Sequence, residues 1–263
     1  MLKTITIIGG GNMGESLIKG LHKSNSVTVV EANAPRVAYL KKTYRVKIAE
    51  VSDAIKSAGI IILAVKPQDM GIVLDSIKKD CKTGKLVISI AAGLTTKFFE
   101  KGLAPSKIAV VRSMPNMPAL IGQGITGLCA GRYAKPSDIK TAQAILNTIG
   151  QTVVVQESMI DALTAVSGSG PAYVFLLVEC WMNAAKSLGF KEEEAKALVY
   201  QTLIGSAHLL EQSDFTAAEL RTKVTSKGGT TQAAMDVFTK GRLDSLIKQA
   251  LLAAKKRAKE LAK

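Results

Sequence analysis

The sequence predicts a doubly wound α/β domain over residues 1–157, followed by an all-helical domain over residues 158–263. Three observations carry that reading. Short apolar runs alternate with helical periodicity through the first half, a glycine-rich turn stands directly after the first run, and strand signal stops near residue 157.

Residues 4–8, 27–31, 60–64, 85–90 and 108–112 are short, rich in Val and Ile, and read as strands. Helical patterns such as 13–23 and 35–44 lie between them. Strands apolar on both faces and separated by helices are what a parallel sheet covered on two sides requires.

In the second half, residues 172–188 carry Val174, Phe175, Leu176, Leu177, Val178, Cys180, Trp181 and Ala184, apolar nearly all round. Such a helix must be buried on every side, more than one small domain supplies, which implies an intersubunit helical bundle and at least a homodimer. Residues 191–210 open on Glu192, Glu193 and Glu194, carboxylates suited to the positive end of a helix dipole. The last helix is amphipathic: Leu246, Ile247, Ala250, Leu251, Ala254, Ala258 and Leu261 against Lys248, Lys255, Lys256, Arg257, Lys259 and Lys263.

At about 150 residues per domain, 263 residues make one or two domains. With 47% apolar and 21% charged residues the chain is globular rather than disordered. No uninterrupted apolar run approaches the roughly 18 to 20 residues of a bilayer-crossing segment, the densest being residues 60–65. The start Met1-Leu2-Lys3 runs straight into the first strand without the layout of a secretion signal, so the expected address is the cytoplasm. Cys81, Cys129 and Cys180 lack disulfide or metal spacing, and His22 and His208 do not complete a metal set, so no metal is expected. The net charge of +14 is spread along the chain, and the C-terminal lysines read as a solvated helix face rather than a nucleic-acid surface.

Gly9-Gly10-Gly11-Asn12-Met13-Gly14 fits G-x-G-x-x-G between a strand and a helix. In a dinucleotide-binding turn Gly9 makes the tight bend, Gly11 lets the backbone approach a pyrophosphate, and Gly14 lets helix and strand pack closely. The N–H groups at Asn12 and Met13 open the following helix toward phosphate. At the end of the second strand Glu31 suits the ribose hydroxyls of NADH, whereas Asn33 and Arg36 suit the 2′-phosphate of NADPH, and both cofactors stay open. Crevices in such sheets lie outside the carboxyl ends of the strands. That places Ala64, Val65, Lys66 and Pro67, the stretch Ala91-Ala92-Gly93, and Asn116 around one ligand.

Two further segments, Ser167-Gly168-Ser169-Gly170-Pro171 and Thr225-Ser226-Lys227-Gly228-Gly229-Thr230-Thr231, read as loops opening helices. Their glycine N–H groups and hydroxyls would either cap those helices or hold a carboxylate. No Ser-His-Asp set, Cys-His pair or close carboxylate dyad can be assembled. Hydride transfer needs none, because the cofactor carries that chemistry.

Together with 64–67, 87–93, 112–116, 166–175 and 225–231, the glycine turn resembles the pyrroline-5-carboxylate reductases over the whole chain. Ser167-Gly168-Ser169-Gly170-Pro171-Ala172-Tyr173 and Gly228-Gly229-Thr230-Thr231 are its most specific motifs. The resemblance implies a Rossmann domain, an all-α dimerisation domain and sites where two subunits meet. It implies reduction of 1-pyrroline-5-carboxylate to L-proline, the last step of proline synthesis, by NADPH or alternatively NADH. By the same resemblance Gly228, Gly229, Thr230 and Thr231 hold the substrate carboxylate, Val224 and Ser226 support that loop, and Glu157 and Thr164 lie near the substrate. Thr164 or Thr231 could hydrogen-bond the ring nitrogen.

Two positions depart from the family pattern. Lys227 stands where proline is expected, giving up a fixed φ and adding a cation, and Lys223 stands where a neutral residue is expected. Fold alone leaves open a reductase of the same architecture acting on another imine or hydroxy acid, or a non-catalytic NAD(P)-binding sensor.

Overall fold

The computed structural model describes residues 4–262. Eight strands form one sheet in the order β3-β2-β1-β4-β5-β6-β7-β8. They are β1 (Thr4–Ile8), β2 (Ser26–Val30), β3 (Lys47–Ile48), β4 (Ile60–Leu63), β5 (Leu86–Ser89), β6 (Ala109–Met114), β7 (Gly124–Ala130) and β8 (Gly150–Val154). The pairs from β3 through β6 are parallel, with Ile7 opposite both Val29 and Ile62. Strand β7 runs antiparallel to β6, and β8 parallel to β7.

The expected doubly wound sheet is present, and the expectation of five strands is too small. β3 has only two residues, while β7 carries Gly124 and Gly127, whose missing side chains weaken a strand signal. The antiparallel β7 is a feature that apolar runs alone do not announce. The Leu163 side chain packs over Gly127, its Cδ1 2.0 Å from where a Cβ would stand, so a larger residue there would have to displace it.

Helices α1 (Asn12–Leu21), α2 (Ala34–Tyr44), α3 (Val51–Ser57), α4 (Met70–Ile77), α5 (Thr96–Gly102) and α6 (Pro136–Leu146) connect the strands. Two apolar layers result. Leu17, Ile18, Leu21, Ala142 and Ile145 pack with Ile5, Ile7, Val29 and Ile62, while Met70, Leu74, Ile77, Phe99 and Leu103 pack with Ile8, Ile61, Leu63 and Val87. Neighbouring strand residues turn to opposite layers, as the period-two pleat demands.

The rest is helical: α7 (Ile160–Leu163), α8 (Gly170–Ser187), α9 (Glu192–Gln212), α10 (Ala217–Lys223), α11 (Thr230–Lys240) and α12 (Leu243–Leu261). Ser167 and Gly168, expected in a loop, belong instead to a π-helical turn, Thr164–Gly168, which runs almost directly into α8. Ser and Gly mimic a turn signal here, but the Ser167 hydroxyl donates back to the Leu163 carbonyl at 3.0 Å and extends the helical path.

Two compact units emerge. One runs through Ser169 and regains the segment from Ala254 onward; the other is Gly170–Ala253. The second unit buries little within one chain, its core consisting of Met182, Ala185, Ala195 and Val199. Phe175, Leu176, Leu177 and Trp181 on α8 and Leu198, Tyr200 and Ile204 on α9 are exposed. The helical run Glu157–Ser187 also reaches a mean hydropathy of 1.3 over an 18-residue window, enough by length and composition to cross a membrane. Length and composition alone do not distinguish a membrane span from an apolar helix that packs against protein.

Candidate active site

The glycines of the first turn divide their work as the motif requires. Gly9 sits at φ +99°, a conformation side chains rarely adopt, and donates its N–H to Val30 O at 2.9 Å. A Cβ on Gly14 would stand 2.1 Å from the Gly9 carbonyl oxygen, so α1 lies against the strand end only because no side chain intervenes. A Cβ on Gly11 would meet nothing within 4 Å. The first turn-closing bond of α1 runs from Glu15 N–H to Gly11 O, leaving the N–H groups of Asn12, Met13 and Gly14 outside the helical ladder. A turn with open space over Gly11 and free donors beside it fits a pyrophosphate.

Glu31, Asn33 and Arg36 surround this turn. Glu31 accepts from Gly10 N–H at 2.7 Å through Oε2 and from Asn33 N–H at 2.8 Å through Oε1. Asn33 caps α2 by accepting from Arg36 N–H at 2.9 Å. The Arg36 guanidinium donates to the Gly10 carbonyl at 2.5 Å, pairs with Glu15, and lies 5.0 Å from the Tyr39 ring centre. Glu15 also accepts from Tyr39 and Tyr44 hydroxyls at 2.9 and 2.7 Å. Burial pushes the Glu15 carboxyl upward, but hydrogen bonds from Tyr44, Arg36 and Tyr39 outweigh it and hold the group below the usual range. Burial and the Glu15 bond push the Tyr44 phenol up.

The other strand ends flank the turn. Ala64 N–H donates to Ile8 O at 2.8 Å, and Ala64 O lies 2.7 Å from where a Gly9 Cβ would be. Val65 is half-buried and Lys66 exposed, the latter preceding a short 3-10 turn, Pro67–Asp69, that proline opens. Ala91 is buried, Ala92 exposed, and Gly93 bends at φ +75°. Asn116, 8% exposed, is committed to structure: its amide donates to Ser167 O at 3.1 Å and its oxygen accepts from Ile125 N–H at 2.9 Å.

Glu157, expected near substrate, stands in an ionic cluster. Its carboxylate takes Thr96 N–H and hydroxyl, both at 2.7 Å, and Arg112 Nη1 at 3.2 Å. Arg112, 4% exposed on β6, also lies 3.9 Å from Asp161. A lone arginine in the apolar run AVVRSM has to find a buried partner, which is the signal in the sequence for this cluster. Beside it, burial and then the Glu157 charge push the Cys129 thiol up to about 12, and burial pushes Cys81 up to about 11, so neither is a nucleophile near neutral pH. Thr164 opens the π turn, its hydroxyl donating to Ile160 O at 2.8 Å.

In the helical unit Val224 ends α10 and Gly229 caps α11. Thr225 donates to Arg221 O at 2.6 Å, Gly228 turns at φ +74°, and Gly229 N–H donates to Ser226 O at 3.0 Å. The first α11 bond runs from Ala233 N–H to Gly229 O, so the N–H groups of Thr230, Thr231 and Gln232 stay outside the ladder. Thr230 and Ser226 are exposed and Thr231 is half-exposed. Lys227 is exposed, whereas Lys223 is occupied, its ammonium 3.9 Å from the Phe215 ring centre. This end of α11 offers backbone donors and hydroxyls to a carboxylate. Among the described residues no cluster of His, Cys, Asp and Glu could hold a metal.

Residues 157–261 match the family model for pyrroline-5-carboxylate reductase dimerisation, and residues 4–93 match that for NADP oxidoreductase, coenzyme F420-dependent. The chain is 37% identical to the pyrroline-5-carboxylate reductase of Mycobacterium tuberculosis, covering 98% of this chain and 96% of that one. It is 38% identical to the enzyme of Pasteurella multocida over 99% and 98% of the two chains. The solved reductase of Coxiella burnetii superposes with TM-score 0.95 at 36% identity, with full coverage of both chains (100% and 100%). That of Plasmodium falciparum, with NADP bound, gives TM-score 0.85 at 29% identity over 100% and 98%. With matches of this identity over nearly the whole of each chain, this chain belongs to the pyrroline-5-carboxylate reductase family.

Proposed function

We propose that the chain reduces 1-pyrroline-5-carboxylate to L-proline with NAD(P)H, as a cytoplasmic homodimer or larger homo-oligomer with no membrane or nucleic-acid partner. The observation that carries the chemistry is the turn from Gly9 to Gly14, with open space over Gly11 and helix donors beside it. Family membership supports the substrate.

Residues 1–157 form the dinucleotide-binding part and 158–263 the dimerisation and substrate part. A bound nicotinamide would supply a hydride to C5 of the ring, and the electron pair of the C=N bond would remain on nitrogen, which already carries its proton. The chain's own work is positioning. Thr230, Thr231 and the backbone of Gly228 and Gly229 hold the substrate carboxylate, with Val224 and Ser226 shaping the loop. Thr231 hydrogen-bonds the ring nitrogen. Glu157 acts indirectly, through the Arg112 and Thr96 contacts that fix its surroundings. Thr164 and Asn116 keep the adjacent π turn in place. Ala64, Val65, Lys66, Pro67, Ala91 and Ala92 line the cofactor side.

The test follows nicotinamide absorbance with pyrroline-5-carboxylate at neutral pH, using wild-type protein and Thr231→Ala. Turnover in the wild type that collapses in the variant supports this reading; cofactor binding without turnover overturns it.

A further inference from the structure

We propose that this chain selects NADH over NADPH, and that Glu15 enforces the choice by occupying Arg36, the cation a 2′-phosphate would need. The inference rests on the reading that the Gly9–Gly14 turn holds a dinucleotide.

In such a turn the adenosine ribose lies at the end of the second strand, where its hydroxyls meet an acidic residue. Glu31 follows β2 directly. Two of the roughly four lone-pair sites of its carboxylate are taken by Gly10 and Asn33 N–H. Two remain, enough for the paired hydroxyls of an unphosphorylated ribose. A 2′-phosphate brings up to two negative charges to the same place and meets a carboxylate fixed by backbone donors, so it cannot swing aside cheaply.

A phosphate could still bind if a cation answered it. The segment 31–36 carries one, Arg36. Its guanidinium is already paired with Glu15, donates to Gly10 O and lies against Tyr39. Glu15 is held there by two tyrosine hydroxyls and kept ionised by them and Arg36. Taking Arg36 away would leave Glu15 charged and partly buried without its cation, a cost charged against every NADPH bound. Glu15 lies on α1, outside the segment usually consulted for cofactor choice, and acts as a positioning residue through Arg36.

Calorimetric titration of the purified protein with NADH and NADPH, without substrate, tests this directly. Wild-type protein is expected to bind NADH at least tenfold more tightly. Glu15→Gln, which frees Arg36, is expected to tighten NADPH binding about tenfold while moving NADH less than threefold. Glu31→Gln is expected to shift the ratio the same way, and circular dichroism checks that each variant is folded. Wild-type protein binding NADPH as tightly as NADH, or folded Glu15→Gln leaving the ratio unchanged, overturns the proposal while leaving the dinucleotide reading intact. Failure of the wild type to bind either nucleotide overturns both.

Discussion

Glu31 and Arg36 grip Gly10 from its two polar ends: the carboxylate takes its N–H at 2.7 Å and the guanidinium donates to its carbonyl at 2.5 Å. The middle residue of the glycine turn is therefore set by side chains from the next strand-helix connection. The turn is held in shape before any ligand arrives, which lowers the ordering cost of binding.

The three motif glycines are expected to fail differently when substituted. Gly14→Ala drives a Cβ to 2.1 Å from backbone oxygen and is expected to lower unfolding free energy by about 1–3 kcal/mol, measured by urea denaturation. Gly11→Ala meets nothing and is expected to stay within about 0.5 kcal/mol of wild type. Its cofactor affinity is nevertheless expected to fall, because the new methyl occupies the approach to the phosphates. Equal stability loss in both would refute this division.

Thr231→Ala removes a hydroxyl at the open end of α11 without touching the backbone donors. Catalytic efficiency toward pyrroline-5-carboxylate is expected to drop roughly 10- to 100-fold, the worth of one hydrogen bond to a charged group. Nucleotide affinity, read by titration, is expected to be unchanged. A parallel loss of nucleotide binding would move Thr231 out of the substrate site.

Removing Glu157 is expected to act on the fold. Glu157→Ala strands Arg112, 4% exposed, and orphans the Thr96 N–H. Breaking a buried pair costs about 3–5 kcal/mol, and Glu157 is a third exposed, so a loss near 3 kcal/mol is expected. Chemical denaturation measures it, and a change under 1 kcal/mol would show Arg112 to be content with Asp161 alone.

Alkaline pH is expected to weaken the fold through its buried thiols. Cys81 and Cys129 ionise near 11 and 12 in the fold, against about 8.5 in an unfolded chain. The unfolded state therefore loses protons first, so this stability is full below about pH 8.5 and falls as pH rises from there. Melting temperatures between pH 8 and 10.5 should decline, less steeply in Cys129→Ala.

Leu176 on α8 is 60% exposed in a single chain, among Phe175, Leu177 and Trp181. Leu176→Asp is expected to shift the light-scattering mass from dimer or larger toward monomer. An unchanged mass would place the interface elsewhere.

What could be read from the sequence follows from the range of the interactions. Gly9, Gly11 and Gly14 announce their roles because strand, turn and helix are contiguous, and the motif depends only on local backbone. The all-round apolarity of α8 likewise announces a partner. Strand β7 hid behind its glycines, and one of them exists to admit Leu163, thirty-odd positions away in the chain. The engagement of Glu157 with Arg112 and Thr96 spans 45 and 61 residues, beyond any local pattern. Glu31 and Arg36 were visible as rivals for the cofactor but not as joint holders of Gly10, because that depends on how α2 returns beneath the turn.

The first compact unit is interrupted and then resumed: the chain leaves it after Ser169 and returns at Ala254, where the end of α12 comes to Gly93. A Cβ on Gly93 would lie 2.9 Å from the Leu261 carbonyl, so the returning backbone is in close contact with the connection after β5. On the ribosome the sheet is made first, yet its covering at Gly93 waits until the whole helical insert has been synthesised. Assembly of the nucleotide-binding unit is thereby tied to completion of the helical insert, and a chain stalled between Gly170 and Ala253 would carry a sheet still uncovered at Gly93 together with exposed apolar helices, a ready substrate for quality control.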